Sequence, residues 1–279
     1  MGEGCEIILQ VLVCAYGSDA MKSMLGGSYP QVDGVGYLVS WQASGGAAVP
    51  EEFASRADFE VVRTDTVGLS RNRNNALKHA SAPFCLLSDD DLSYTIGGLT
   101  RLCEYWRTNA DDEDIVVCHF TESGRRYPTY SVDTFDLSAR PKGYYFISVE
   151  ISFRRESVMK SGVRFEELMG VGAPELTCGE EEVFMFSLLR KGLKGKCLPI
   201  ILGDHPAESS GNRLTKSVGF VKTQGALLRF RYPRTWLIRL PFAALFTAHH
   251  TIGLWCYVRV AVLMACGAIY SKRNKMFRQ

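Results

Sequence analysis

Three aspartates in a row, Asp89-Asp90-Asp91, follow the apolar run Phe84-Cys85-Leu86-Leu87 and a single serine, Ser88. An apolar run of this length behind Pro83 reads as a strand buried on both faces. Carboxylates crowded at the end of such a strand repel one another, and more strongly near a low dielectric than in water. A divalent cation relieves that conflict. Alternation along an extended chain directs Asp89 and Asp91 to the same side. Hard oxygen ligands suit Mg²⁺ or Mn²⁺, which take few carboxylates together with diphosphate oxygens. The plainer alternative is a solvated acidic turn capping the next helix; the buried strand and the arginine-bearing helix ahead of it favour the metal site.

A second acidic cluster, Glu180-Glu181-Glu182, opens a predicted helix over residues 180–191. Glutamates in a first helical turn are favourable against the helix dipole. That accounts for the acidity but not for the segment in front of it, GVGAPELTCG at 170–179, which reads as a glycine-rich mobile loop.

The elements that must position these groups follow from periodicity. In GLSRNRNNALKHASAPFCLLSDDDL (68–92), Gly68-Leu69-Ser70 reads as a turn with Ser70 as helix N-cap. The helix runs over 72–79, with Ala76, Leu77 and Ala80 on one side and Arg71, Arg73 and Lys78 elsewhere. Upstream, strands are predicted over 6–15, 34–40 and 59–63, with a loose helix through Met21, Met24 and Leu25 and a loop at 43–48. This is a parallel-sheet pattern, in which ligands bind beyond the carboxyl ends of the strands. Downstream come a helix over 97–106 and a solvated acidic loop at 111–114. A buried strand over 115–120 follows, with His119 as a core histidine. After a polar, variable loop at 122–142 there is a strand over 148–154, with Val149, Ile151 and Phe153 facing one way, and a last strand over 195–202 followed by Asp204-His205.

Gly68, Ser70, Arg73-Asn74, Ala80 and Asp89-Asp90-Asp91 together resemble the donor-binding core of the family-two glycosyltransferases, in which a G-x-S-x-x-R-N helix precedes a strand ending in a D-x-D element. Gly179, Glu180, Glu181 and Phe184 resemble that family's G-E-D-x-x-F element, with Glu181 at the aspartate position and one methylene longer. The resemblance implies an α/β, GT-A (Rossmann-like) fold, a mainly parallel sheet between helices. It implies an inverting transferase that moves a sugar from a nucleotide-diphosphate donor, a UDP-sugar, to a glycan or polyprenyl-diphosphate-linked acceptor in bacterial surface-polysaccharide synthesis. Mn²⁺ or Mg²⁺ would sit on Asp89, Asp91 and His205. Tyr16, Gln42, Arg71, Arg73, Asp89 and Asp90 would bind the donor. Glu181 would be the general base, and Glu150, Gly179 and Glu180 would lie on the acceptor side.

This chain departs from the pattern after the second strand, where many members carry paired aspartates and it has Ser40-Trp41-Gln42. Either Gln42 bonds a base edge and Trp41 stacks on it, or both belong to ordinary surface packing; Asp65 is a further substitute. A turn at Ser209-Ser210-Gly211 is expected to face phosphate. A sugar-1-phosphate nucleotidyltransferase shares the metal and sheet logic, but VLVCAYGSDAMK lacks the glycine-rich, arginine-bearing phosphate loop which that reaction needs. A membrane-bound scaffold with a decayed site is the non-catalytic alternative.

The nine cysteines form no C-x-x-C pair and no zinc-ligand spacing, which points to a reducing compartment without disulfides. The start, MGEGCEIILQ, shows no basic n-region of a secretory signal. From Ser209 onward there are 12 Lys/Arg and no Asp/Glu, while the first 208 residues carry a net −10. A division at 1–211 and 212–279 follows, the second part a basic, apolar helical extension. WLIRLPFAALF (236–246) and TIGLWCYVRVAVLMACGAIY (251–270) are its most apolar stretches. Arg259 in the middle of the second makes full insertion costly, and basic groups on both sides give no clear crossing direction. Two interfacial or re-entrant helices on the cytoplasmic face of a bacterial membrane are expected, with a buried helical pair as the alternative. No nucleic-acid partner is expected.

Overall fold

The computed structural model describes residues 6–122, 125–126, 134–205, 217–251 and 253–277. The Ser209–Gly211 turn and the boundary at 211/212 lie outside the described residues. By internal packing the chain divides into two units. The first comprises Met1–Val67, Arg71–Val163 and Met185–Ala207; the second comprises Gly68–Ser70, Arg164–Phe184 and Glu208–Gln279.

The first unit is built on a ten-stranded sheet. Its strands are β1 (Leu9–Tyr16), β2 (Val35–Gln42), β3 (Phe59–Thr64), β4 (Phe84–Asp89), β5 (Ser93–Tyr94), β6 (Ile115–Glu122), β7 (Arg125–Arg126), β8 (Phe135–Asp136), β9 (Ile151–Arg154) and β10 (Gly195–His205). They are ordered β3-β2-β1-β4-β9-β6-β10-β5, with β7 on β6 and β8 on β10. The long pairings β1–β2, β1–β4, β2–β3 and β6–β10 are parallel. The short strand β9 runs antiparallel between β4 and β6. Apolar runs with no polar alternation, such as LQVLVCA in β1, are what a strand covered on both faces requires; Leu9 to Ala15 are all buried.

Helices α1 (Ala20–Met24), α2 (Glu51–Ala54), α3 (Leu69–His79), α4 (Ile96–Thr108), α5 (Arg155–Ser161) and α6 (Glu180–Arg190) connect the strands. The aliphatic face of α4 sinks Leu99, Leu102 and Trp106 into the core, and Thr95 caps the helix through a bond from the Gly98 amide. Trp106 stacks on Phe84 at 4.3 Å and donates its indole N–H to Ser152.

Three local expectations are corrected. Residues 148–150 form a 3₁₀ turn rather than the start of the strand, so alternation applies only from Ile151. The acidic run at 111–114 is only half solvated. Glu113 is buried and pairs with Lys196 at 2.6 Å, while Asp114 accepts from Ser157 and from the Lys194 amide. Four adjacent carboxylates carry no periodic signal that separates the two kinds. Ser70 lies inside α3, which begins at Leu69, so it does not cap the helix.

In the second unit, α7 (Val218–Arg231), α8 (Trp236–His250) and α9 (Tyr257–Arg273) pack around Val221, Ala244, Ala248, Val260 and Met264. Helices α7 and α9 cross with their backbones in contact. A Cβ at Gly225 would strike the Met264 carbonyl oxygen, and one at Gly267 would strike that of Lys222. Gly225→Ala is therefore expected to destabilise this unit by about 1–3 kcal/mol, the usual cost of overpacking. An unchanged thermal unfolding curve for that variant would rule out the close crossing.

Candidate active site

The strand order reverses between β1 and β4, the position at which parallel α/β sheets open a crevice beyond their carboxyl ends. Register brings Cys14 opposite Asp89 and Tyr16 opposite Gln42, so the ends of β1, β2 and β4 stand level. Helix α3 is fastened to this edge by side-chain amides. Asn72 donates to the Ala15 carbonyl at 3.1 Å, and Asn75 to the Ser40 hydroxyl at 2.8 Å. Arg73, only 1% exposed, reaches from the same helix to the Ser148 hydroxyl at 2.8 Å and to Asp89 Oδ1 at 3.5 Å.

The acidic triplet does not continue as a strand. β4 ends at Asp89, and Asp90 and Asp91 lie in a turn, so strand alternation does not set their directions. The Tyr16 amide donates to Asp90 Oδ2 at 3.4 Å, linking the turn to the end of β1. Burial, and then the charge of Asp89, push the Asp90 carboxyl from the usual carboxylate range up to about 6. Asp91, the most exposed of the three, is also raised by burial and by Asp89, and the charge of His205 opposes that rise. His205 at the end of β10 is thus close enough to act electrostatically on Asp91.

Among the described residues no three His, Cys, Asp or Glu side chains already stand at metal-ligand geometry. The donor chemistry nonetheless fits a divalent cation. Three mutually repelling carboxylates, two with raised pKa and one within range of an imidazole, form an anionic cluster of the kind a hard cation neutralises.

Because Asp90 is raised above its unfolded value, folding is penalised above about pH 6, and the penalty fades as pH falls toward 4. Metal-free protein should therefore gain stability between about pH 7.5 and pH 5, by on the order of 2 kcal/mol. Asp90→Asn should be more stable than the parent near pH 7.5 and should lose this pH dependence. Thermal melts of both proteins at the two pH values test it, and parallel melts at every pH would refute it.

Several predicted site residues prove to be interior. Gln42 is 1% exposed and donates to the Thr66 hydroxyl at 2.9 Å, so it is not open to a base edge. Trp41 is fully buried, donates to the Gly17 carbonyl at 2.7 Å and is covered by the Arg63 guanidinium at 4.6 Å, so it cannot stack on a ligand. Glu150 is 1% exposed and accepts the Phe120 amide at 2.9 Å, which makes it a scaffold carboxylate and not an acceptor contact. Arg73 also acts as scaffold, whereas Arg71, Asp65 and Tyr16 are exposed. Tyr29 was not singled out by the sequence. Its hydroxyl lies 3.5 Å from the Asp89 carbonyl oxygen, and burial with the three aspartate charges holds its pKa high. Only its distance from the turn in sequence concealed it.

The second acidic cluster belongs to the other unit. The glycine segment in front of it is held by bonds from the Leu69 amide to the Val171 carbonyl and from the Gly170 amide to the Leu176 carbonyl, both 2.9 Å. Ser70 donates to the Met169 carbonyl at 2.7 Å. The loop expected to be mobile is therefore pinned. Gly170 adopts a φ of +98°, and a Cβ there would lie 3.0 Å from the Glu180 carboxyl carbon and 3.2 Å from the Ser70 hydroxyl. Glu180 is 4% exposed beneath that loop, so its carboxyl is not open to solvent. Glu182 pairs with Arg231 at 2.6 Å. Glu181 is half-buried, and Gly179 receives the first helical bond of α6, from the Val183 amide. Burial and the Glu181 charge push the Cys178 thiol up to about 12.

Residues 47–161 match the sequence model of glycosyl transferase family 2. The match takes in α3, β4, the acidic triplet and β9, while Tyr16, Glu181 and His205 fall outside it. The chain has the GT-A fold. It is similar to the crystal structure of S. aureus TarS 1-349, with TM-score 0.58 and 14% identity over 98% of this chain and 93% of that one. The complex of TarS 1-349 with UDP-GlcNAc gives TM-score 0.60 at 13% identity over the same shares. Against the longer TarS structure the TM-score is 0.58 at 15% identity, over 87% of this chain and 43% of that one. Comparison with curated protein sequences returns no match.

Proposed function

We propose that this chain is a glycosyltransferase that moves a sugar, with inversion, from a nucleotide-diphosphate donor to a hydroxyl of a glycan or polyprenyl-diphosphate-linked acceptor. The pathway would be bacterial surface-polysaccharide synthesis at the cytoplasmic face of the membrane. The observation that carries the reading is the part-buried, mutually repelling acidic turn at the β1/β4 crevice, inside the segment that matches the family model. The UDP-GlcNAc complex of the similar TarS structure supports a UDP-sugar as the first donor to try.

Asp89 and Asp91, with His205, would hold Mn²⁺ or Mg²⁺, which when bound supplies positive charge against the leaving diphosphate. Arg73 holds Asp89 in place from within the helix, and Asp90 is fixed by the Tyr16 amide. Arg71 is exposed next to Arg73 and is assigned to the donor's phosphates. Glu181 takes the proton from the attacking acceptor hydroxyl.

Calorimetry of the full chain with UDP-GlcNAc and other nucleotide sugars, with and without Mn²⁺, tests the reading. Binding of one nucleotide sugar that strengthens with metal is expected. No binding of any of them at about 1 mM, the upper range of ordinary enzyme KM values, would overturn it.

A further inference from the structure

Helices α8 and α9 turn a large apolar surface outward. On α8 the inner stripe of Ala244, Thr247 and Ala248 is buried, while Ile238, Phe242 and Phe246 are 74%, 77% and 67% exposed. On α9 the inner stripe of Val260, Met264 and Gly267 is buried, while Val258 and Val262 are 71% and 56% exposed. Trp255, just before α9, is 88% exposed. Outward positions recur every three to four residues on both helices, so these are continuous faces and not scattered side chains. An exposed aromatic and aliphatic surface of this kind marks an interaction site.

Charge selects the occupant. Arg234, Arg239, Arg259, Lys272, Arg273 and Lys275 are all exposed, and no acidic residue occurs from Ser209 onward. A partner protein with a matching apolar face would leave these cations without complement. An anionic lipid surface offers both an apolar interior and negative headgroups, and Trp255 is the residue type enriched at that boundary.

What α9 is bound to opposes spanning. Residues Leu254–Arg273 are long and apolar enough to cross a bilayer, with mean hydropathy 1.5, but the helix is locked against α7 through Gly225 and Gly267. α7 carries the Lys222–Glu175 ion pair, Arg229 and Arg231, so inserting α9 would draw these charges along. Arg259 is exposed in the middle of the apolar face. Each such charge is costly at the bilayer centre.

We infer that α8, α9 and the Trp255 turn form a docking face for the surface of an anionic bilayer, lying in the headgroup region without crossing it. The assignment depends only on the second unit and is independent of the transfer chemistry.

The test is sedimentation of the full chain with phosphatidylcholine vesicles, with and without phosphatidylglycerol, together with quenching of tryptophan fluorescence by brominated lipids. Binding is expected to need phosphatidylglycerol, to weaken but persist in high salt, and to be quenched best by lipids brominated near the headgroup. Quenching should fall sharply in Trp255→Phe, with any remainder coming from half-buried Trp236 at the start of α8. The double variant Phe242→Ser, Trp255→Ser should bind at least about tenfold more weakly with an unchanged thermal melt, since both side chains are already in solvent. Absence of vesicle binding would overturn the inference. So would deep-lipid quenching with resistance to alkaline extraction, which would mean a spanning helix. A dimer that Phe242→Ser dissolves, without vesicle binding, would assign the face to a second copy and also overturn it.

Discussion

Asp91→Asn abolishes sugar transfer and leaves the melting temperature near that of the parent: this is the expected outcome of removing the most exposed carboxylate of the acidic turn. The substitution conserves volume and removes a hard anionic ligand. It also removes a charge that helps to raise the Asp90 carboxyl, so the fold loses nothing by it. Asp89→Asn is a less clean experiment. Asp89 faces the guanidinium of Arg73, whose side chain is 2% exposed, and weakening one partner of a buried pair destabilises the protein as well as the site. Activity loss in Asp91→Asn with unchanged stability, and loss of both in Asp89→Asn, is the pattern that separates ligand from scaffold. Mn²⁺ titration followed by calorimetry gives a readout apart from turnover. Near-parental transfer by Asp91→Asn would remove the metal assignment.

Glu181→Gln should bind donor as the parent does and turn over roughly 10²–10⁴-fold more slowly, the range for loss of a positioned general base. The neighbouring glutamates serve as internal controls. Glu182→Gln weakens the ion pair with Arg231, and Glu180→Gln alters a carboxyl packed beneath Gly170. Both should shift stability more than turnover. Single-turnover rates for the three variants, set beside their melts, decide the register. A slow Glu180→Gln or Glu182→Gln with a fast Glu181→Gln would move the base, and three fast enzymes would reduce the run to a charged helix start.

The scaffold was legible where one physical signal dominates. β1 and β4 are uninterrupted apolar runs, and α3 lies between a glycine turn and Pro83, so their presence and order follow from burial and punctuation, while the start of α3 and the ends of β1 do not. The acidic turn was legible because no buried strand ends in three carboxylates without compensation. Side-chain direction was not. Gln42, Glu150 and Arg73 are polar residues that the fold turns inward to satisfy backbone and hydroxyl groups. A single sequence gives an interior polar residue the same appearance as a ligand contact. Tyr29 was missed for the converse reason: an aromatic in a loop looks like packing until the turn 60 residues away closes on it. Helix α7 escaped because glycine, lysine and threonine interrupt its periodicity, and two of those interruptions, Gly225 and Lys222, lie at its crossing with α9.

The position of β9 bears on how the chain folds. β1, β2, β3 and β4 lie within 81 residues and can zip together as a parallel core, but the far edge of β4 waits for Ile151–Arg154, which must slide in against both β4 and β6. Such late, long-range pairing is slow, because loop closure precedes any reward. Until it occurs, Phe84-Cys85-Leu86-Leu87 presents an open, uncharged, β-prone edge of the kind that recruits neighbouring chains. Fast synthesis of this protein at high temperature should therefore yield aggregates nucleated at β4, and the aspartates that end the strand become the gatekeepers that keep the exposed edge short.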